Sequence, residues 1–197
     1  AINISDPANL SPLRQIPSSL GGYNSVNGYT EGGLSISGDY AYMGAHYMGV
    51  GIFNISNPPN ESLEKIIEPR YGRSYSVLIN GNYAYVAQDW YLVVLDVSDP
   101  SNPTFLNTVG YWGRGGSMVI NGSYLYHGGG WAGLIIYNIS NPANPQKIKS
   151  WSDHISIIGL NNGYLHVKYW GRYKILDVSD PMNIVEVGSY NYAPQTI

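Results

Sequence analysis

Apolar and polar residues alternate along much of the chain with the period of two that is typical of β-strands, and no stretch has the 3.6-residue period of a helix. In residues 74–111 the alternation predicts four short strands, at Tyr75–Ile79, Tyr83–Gln88, Leu92–Val97 and Phe105–Tyr111. The third is a continuous apolar run, as in a strand that is buried on both faces. Asn80 and Gly81 supply the positive φ angles of a tight hairpin turn, and the run DPSNP at 99–103 ends the third strand.

Two motifs then recur along the chain. The first motif occurs five times. It is an apolar strand that is followed in order by Asn or Asp, an aliphatic residue, Ser, a second Asn or Asp, and Pro. Its prolines lie at positions 7, 58, 100, 142 and 181. A turn followed by a Tyr-rich strand occurs four times, at 37–42, 80–85, 121–126 and 161–166. Four strands in every 40–45 residues or so is the pattern of a β-propeller blade, whose sheet packs against its neighbours on both faces. The sequence therefore predicts an all-β propeller of four-stranded antiparallel blades.

The repeats divide the chain into four complete blades and an incomplete one, within a single domain. The complete blades are expected at 34–71, 74–111, 117–151 and 155–190, after a partial blade at 1–20 and an insertion loop at 21–33, and before a tail at 191–197. The partial blade has a third strand at Ile2–Ser5 and a fourth at Leu13–Ser18. If these strands pair with the C-terminal segment Pro194–Ile197, the ring closes with a shortened fifth blade; otherwise the array is open or belongs to a longer ring. An open edge invites another chain to pair with it, so self-assembly through the incomplete blade is one hypothesis.

An Asn or Asp ends the third strand of every repeat, at positions 3, 54, 96, 138 and 177. We expect its side chain to cap the following turn through an Asx-type hydrogen bond rather than to bind a ligand.

The run Leu92–Pro100 (LVVLDVSDP), preceded by Gly81–Ala87 (GNYAYVA), resembles the LVIVD repeat. The resemblance covers residues 34–197. It implies a β-propeller from a bacterial or archaeal family with many exported or surface-attached members. The family has no established catalytic residues or general ligand, so the resemblance implies no functional site.

In a propeller, the loops between second and third strands share one face with the loops that join successive blades. Here both sets are rich in Tyr and Trp, and aromatic rings suit contact with sugars or proteins. The candidate ligand-binding residues are Tyr47, Trp90, Tyr91, Trp112, Arg114, Trp131, Trp170 and Arg172. The alternative is that these aromatic residues are wedges between blades. Trp90, Trp131 and Trp170 are expected to be exposed, because glycine or charged residues adjoin them.

Composition narrows the possible partners. The chain has 19 Tyr and 5 Trp but only 12% charged residues, about half the usual ~25%, and such a chain is not disordered. A net charge of −3 without a basic run offers no site to nucleic acid or to an anionic membrane. The chain nowhere approaches the ~18 consecutive apolar residues of a membrane span, so no membrane insertion is expected. The absence of Cys excludes disulfides and thiolate chemistry.

No motif of an enzyme or cofactor site stands out. The four His lack metal-binding spacing, and His166 occupies a Tyr position, which suggests a packed core imidazole. There is no G-x-S-x-G elbow. Asp89 and Asp153 lie in loops of one face, as a glycosidic acid pair would, but nothing in the sequence separates them from solvated loop acids. We therefore expect no catalytic residues, no metal and no cofactor.

These observations favour a non-catalytic extracellular or cell-surface propeller that acts by binding or assembly, as an adhesion module or as a subunit of a surface layer or filament. Its expected partners are other protein chains, including copies of itself, and glycans. The alternative is a propeller domain of a secreted glycan-binding or glycan-active enzyme. The start at Ala1-Ile2-Asn3 carries no targeting signal, so any signal peptide is expected to have been removed. Asn60 and Asn121 are the candidate glycosylation sites, as N-x-S sequons in predicted turns.

Overall fold

The structure is a computed structural model that describes residues 2–3, 11–12, 33–57, 61–111, 113–151 and 154–191. These residues form strands, turns and irregular segments, with no helix among them. Sixteen of the strands form four antiparallel four-stranded sheets, each of which is a meander of consecutive strands. The predicted all-β architecture of four complete propeller blades is confirmed.

The four sheets are named blades 1 to 4 in chain order. Blade 1 contains β3 (Leu34–Ser37), β4 (Tyr40–Gly44), β5 (Val50–Asn54) and β6 (Ser62–Ile67). Blade 2 contains β7 (Ser74–Asn80), β8 (Tyr83–Gln88), β9 (Tyr91–Asp96) and β10 (Thr104–Gly110). Blade 3 contains β11 (Met118–Asn121), β12 (Tyr124–Gly128), β13 (Leu134–Asn138) and β14 (Gln146–Trp151). Blade 4 contains β15 (Ile155–Asn161), β16 (Tyr164–Tyr169), β17 (Arg172–Asp177) and β18 (Val185–Asn191).

The recurrent turn residues act as the sequence predicts. Gly81 opens the first hairpin of blade 2 with φ 58°, a left-handed conformation that glycine adopts without strain. At the end of the third strand, the recurrent Asn or Asp side chain accepts a hydrogen bond from the backbone N–H two residues later in all four blades. The donor and acceptor pairs are Ser56 and Asn54 at 3.0 Å, Ser98 and Asp96 at 2.8 Å, Ser140 and Asn138 at 2.9 Å, and Ser179 and Asp177 at 2.9 Å.

The first strands of neighbouring blades adjoin one another and form the inner part of the array. The N–H of Gly33 donates to the carbonyl of Tyr75 at 3.1 Å. The hydroxyls of Ser76 and Ser117 donate to the carbonyls of Gly116 and Ile157, at 2.5 and 2.6 Å. These contacts join blades 1 to 2, 2 to 3 and 3 to 4 in turn. The backbones of neighbouring blades approach so closely that a Cβ on Gly128 of blade 3 would lie 2.9 Å from the backbone nitrogen of Ile157 in blade 4.

Each pair of successive blades buries an apolar cluster between its sheets. In each pair, a Tyr of the earlier blade's second strand packs against the later blade: Tyr42, Tyr85 and Tyr126. Tyr85 and Tyr126 also donate hydrogen bonds to backbone carbonyls of the later blade, at Pro142 and Val178. We call this side of a blade its trailing face and the opposite side, which packs on the preceding blade, its leading face.

Two short strands lie outside the four blades. β1 (Ile2–Asn3) and β2 (Ser11–Pro12) pair in an antiparallel two-stranded sheet, which agrees with a third and a fourth strand of a partial blade. The pairing strand is Ser11–Pro12, so it begins before the predicted Leu13–Ser18, which lies outside the described residues. The insertion loop at 21–32, the tail at 192–197 and hence the predicted closure through Pro194–Ile197 also lie outside them.

Candidate binding face

The loops between second and third strands come in two forms that alternate around the array. Blades 1 and 3 have five-residue loops, 45–49 and 129–133, closed by matching backbone hydrogen bonds: Ala45 N to Gly49 O at 2.7 Å and Gly129 N to Gly133 O at 2.8 Å. Blades 2 and 4 have two-residue loops, 89–90 and 170–171. His46 of the first loop and Gly130 of the third each form a β-bridge to the first strand of the next blade. The array therefore repeats in pairs of blades as well as in single blades.

Three bulky residues in these loops adopt left-handed backbone conformations. His46 has φ 53°, Trp90 has φ 68° and Trp170 has φ 44°. Steric contact between Cβ and the backbone makes this region unfavourable for such side chains. Residues held there against their preference are concentrated at functional sites.

The loop tips carry exposed aromatic side chains. Four residues at the loop tips are exposed: Tyr47, Trp90, Trp131 and Trp170. The exposed fractions of the three tryptophans are 50%, 81% and 71%, in that order. The expected exposure of the three tryptophans is therefore observed, although their role in binding stays a prediction. Arg114 and Arg172 are exposed too, whereas Trp112 lies outside the described residues.

Other aromatic residues of the same loops are wedges between blades. Tyr75 and Tyr111 are buried. Tyr91 is half-buried, and its ring centroid lies 4.3 Å from that of Tyr71. Tyr91 was a candidate ligand-binding residue, but its ring packs at the interface between blades 1 and 2. The wedge interpretation is thus correct for Tyr75, Tyr91 and Tyr111, whereas the binding interpretation of the exposed residues at the loop tips stays a prediction.

An ion pair occupies the corner between blades 1 and 2. The Arg73 guanidinium donates to Asp89 at 2.9 and 3.1 Å, and the Tyr75 hydroxyl donates to the same carboxylate at 2.7 Å. Asp89 is therefore not a solvated loop acid, and it is held in structural contacts rather than free for glycosidic chemistry. Asp153, the other candidate acid, lies outside the described residues. Sequence reasoning did not find this pair, because its members are 16 residues apart and carry no motif.

This corner perturbs its titratable groups. Burial raises the pKa of the Asp89 carboxyl, but hydrogen bonds from Arg73 and Tyr75 outweigh it, and the net pKa is lowered. The pKa of His46 is lowered, first by burial and then by the charge of Arg73. The Nδ1 atom of His46 is buried and has no hydrogen-bond partner among the residues that the structure describes. The corner is therefore charged at Asp89 and Arg73 and holds a neutral imidazole near pH 7.

Three aromatic rings occupy the corner between blades 3 and 4. The centroid of the half-buried His154 ring lies 5.5 Å from that of Trp131 and 5.0 Å from that of Trp170. We call these three residues the aromatic trio. His154 was not among the candidate residues, although its blade-to-blade loop was identified as part of the binding face.

The remaining expectations concern histidines and sequons. His166 is only half-buried and hydrogen-bonds through Nδ1 to the Tyr173 hydroxyl, so the expected core position was wrong. Asn121 ends β11, at the first hairpin of blade 3, and Asn60 lies outside the described residues. In the described ranges, His, Asp and Glu form no group of three that could hold a metal ion. The same residues include no helix that could cross a bilayer.

The sequence profile of the LVIVD repeat matches the chain four times, at residues 28–67, 71–110, 113–153 and 155–192. These matches cover most of the chain and coincide with the four blades. The chain belongs to the LVIVD repeat family. The resemblance noted from the sequence is thereby confirmed, and no curated protein matches the chain.

Solved structures share the fold of this LVIVD repeat protein at low sequence identity. A functionally unknown protein from Desulfotomaculum acetoxidans is 19% identical with a TM-score of 0.66, over 81% of this chain and 57% of its own. A protein from Lactobacillus plantarum is 13% identical with a TM-score of 0.68, over 83% and 56%. The computationally designed Ika8 protein is 11% identical with a TM-score of 0.61, over 80% and 48%. The LVIVD repeat chain thus spans about half the length of each of these structures.

Proposed function

We propose that this protein is a non-catalytic extracellular or cell-surface module that acts by assembly, in which copies associate head to tail through exposed blade faces. The observation that carries the proposal is the trailing face of blade 4. Blades 1 to 3 bury this face against the next blade, whereas blade 4 exposes it.

His166 marks the difference. It occupies the position that holds Tyr42, Tyr85 and Tyr126 in the other blades, all of them buried. Around it, the trailing face of blade 4 forms a shallow hollow lined by Asn161, Asn162, Tyr164, His166, Ile175 and Val187. Val187 is 53% exposed and the neighbouring Tyr190 is 64% exposed. A sheet face with this much apolar surface is an interaction surface or an aggregation site.

The leading face of blade 1 is exposed in the same way. Leu34 and Ile36 point away from blade 2, and Ile36 is 62% exposed. They pair across the sheet with Met43 and Ala41, which belong to a small apolar cluster on that face. Leu63 extends the cluster on the fourth strand, opposite Phe53.

A second copy of the chain fits these two faces. Every interface inside the array joins a trailing face to a leading face, so the trailing face of one copy matches the leading face of another. The three solved structures described above extend to about twice the matched length, so those proteins contain more of the fold than one chain of this size provides. Contacts of this heterologous kind give closed rings or open filaments.

Sedimentation velocity over a concentration series tests the proposal. The wild-type chain is expected to self-associate, whereas Val187→Glu on the trailing face or Ile36→Glu on the leading face is expected to abolish association, because every head-to-tail contact needs both faces intact. Met182→Glu is the matched control, because Met182 is exposed in a turn beside blade 3.

Mixing the two face variants gives the sharper result. Each variant retains one intact face, so a head-to-tail contact predicts that the mixture forms a dimer and stops there. A wild-type chain that stays monomeric at all concentrations would overturn the proposal, as would a Met182→Glu variant that associates no better than the face variants.

The proposed location is supported by the family resemblance and by the low charge content of the surface. Polar Tyr, Asn and Ser side chains hydrogen-bond without ionising. Protease digestion of intact source cells tests the location: a surface protein is cleaved, and protection from protease until the cells are lysed would contradict it.

A further inference from the structure

We propose that the aromatic trio, Trp131, His154 and Trp170, is a carbohydrate-binding site that stacks on a pyranose ring. This site lies on the loop face, separate from the blade faces of the proposed assembly, and it rests on different observations.

The first observation is that the trio and the ion-pair corner occupy equivalent positions. Counted from the hairpin at the end of each first strand, His154 corresponds to Arg73 and Trp170 to Asp89. Trp131 corresponds to Tyr47, because both follow the bridging residue of a five-residue loop. Between blades 1 and 2 these positions are satisfied internally by the Arg73–Asp89 pair. Between blades 3 and 4 they hold three rings instead.

The second observation is exposure. Residues that only joined two blades would be buried like the inter-blade Tyr111, but Trp131 is 81% exposed and Trp170 is 71% exposed. Large apolar side chains clustered on a surface mark a binding site. A structural wedge does not account for this much exposed ring surface.

The third observation is that the backbone fixes these rings in place. Trp170 is held in a left-handed conformation at φ 44°. Trp131 sits in a loop closed by three backbone hydrogen bonds, and the Gly130 that precedes it has φ 56°. Strain of this kind at an exposed tryptophan is typical of a site that is organised before its ligand binds.

The size and chemistry of the site favour a sugar. The rings meet at 56° and 62°, so they form an angled wall rather than a flat stack. Aromatic faces contact the C–H side of a pyranose, and the imidazole of His154 can hydrogen-bond to its hydroxyls. Arg172 pairs directly with Tyr169, whose ring packs toward blade 3, so Arg172 lies on the same side of blade 4 as Trp131. A guanidinium there would also bind the carboxylate of a uronic acid. A protein partner would need a much larger surface, of about 1,000 Å² or more in total.

Titration with defined oligosaccharides, followed by tryptophan fluorescence and calorimetry, tests the proposal. Cellohexaose represents neutral pyranoses and hexamannuronate represents acidic ones, and saturable binding of either supports the site. Trp131→Ala and Trp170→Gly are each expected to weaken binding at least ten-fold. Phe105→Ala is the matched control, since Phe105 is also an exposed aromatic residue but lies on β10, the fourth strand of blade 2, and not in a loop of the binding face.

Arg172→Gln separates the two arms of the test. If the acidic sugar is the ligand, this variant weakens hexamannuronate binding and leaves cellohexaose unchanged. The proposal is overturned if neither sugar binds at millimolar concentration, or if Phe105→Ala weakens binding as much as Trp131→Ala does. It is also overturned if Trp131→Ala abolishes self-association while no sugar binds, because the trio is then a protein contact.

Discussion

Arg73 donates two side-chain hydrogen bonds to Asp89, from Nε to Oδ2 at 2.9 Å and from Nη2 to Oδ1 at 3.1 Å. The backbone N–H of Arg73 donates a third, to Oδ2 at 3.1 Å. The pair joins the segment before β7 to the loop after β8, and both side chains are largely shielded from water. Planar pairing of this kind is among the stronger interactions available to a protein side chain.

Asp89→Asn is expected to destabilise the fold by about 2 kcal/mol, because it leaves the Arg73 guanidinium partly buried without its counter-charge. Urea denaturation measures the loss. Glu64→Gln, at an exposed position of β6, is the control and should change little. In the double variant Asp89→Asn with Arg73→Gln, the loss should be smaller than the sum of the two single losses. Additive losses would show that the two side chains are not energetically coupled.

His127 is expected to make stability fall in mild acid. His127 is fully buried, and within the described part of the chain neither of its ring nitrogens has a hydrogen-bond partner. Burial lowers its pKa to about 3. An unfolded histidine has a pKa of about 6.5, so the neutral form contributes stability above that pH and the contribution is lost as pH falls from 6.5 toward 3. Between pH 7 and pH 5 this loss is about 2 kcal/mol.

His127→Val is the matched variant, because Val86 and Val167 occupy the same position in blades 2 and 4. Thermal or urea unfolding at pH 7 and at pH 5 should show a smaller drop for the variant than for the wild type. Equal drops would mean that other groups cause the acid sensitivity.

The left-handed conformation of Trp170 predicts an unusual order of stability among its variants. Trp170→Gly should be more stable than Trp170→Ala by about 1 kcal/mol, because glycine adopts positive φ without the Cβ penalty. The converse change is Gly130→Ala at φ 56°, where the added Cβ would have only an ordinary contact at 3.8 Å. Gly130→Ala should therefore lower the free energy of unfolding by about 1 kcal/mol. Chemical denaturation measures both, and a Gly130→Ala variant of unchanged stability would contradict the strain.

The Asx hydrogen bond predicts that Asn and Asp are interchangeable at the end of the third strand. Asn138 accepts from the N–H of Ser140 at 2.9 Å. Asn138→Asp should therefore retain stability, since two of the four blades carry Asp here, whereas Asn138→Ala should lose about 1 kcal/mol. Thermal unfolding of the two variants side by side measures the difference. If Asn138→Asp and Asn138→Ala lost equal stability, packing rather than the hydrogen bond would explain the preference for Asn or Asp at this position.

The sequence by itself determined the repeat, the strand order within each blade and the turns. The reason is that these features depend on neighbouring residues. Gly81 opens a hairpin, and Asp96 caps its turn with the N–H of Ser98, two residues away. An apolar run such as 92–95 is buried wherever a blade packs on both of its faces. Local chemistry of this kind is identical in every repeat, so one period predicts the others.

Adjoining glycine or charged residues predicted that Trp90, Trp131 and Trp170 are exposed, and they are. Only the tertiary structure decided that Tyr91, a candidate from the same set of loops, packs between blades. His166 was expected in the core because the other repeats have Tyr at its position, but the burial of that position depends on the next blade rather than on the residue. The Arg73–Asp89 pair lies within blade 2, where it continues the β7–β8 hairpin beyond the paired residues Ser74 and Gln88. The Trp131–His154–Trp170 trio joins residues from two blades. Its contacts arise from how blades 3 and 4 pack together, which no local pattern in the sequence encodes.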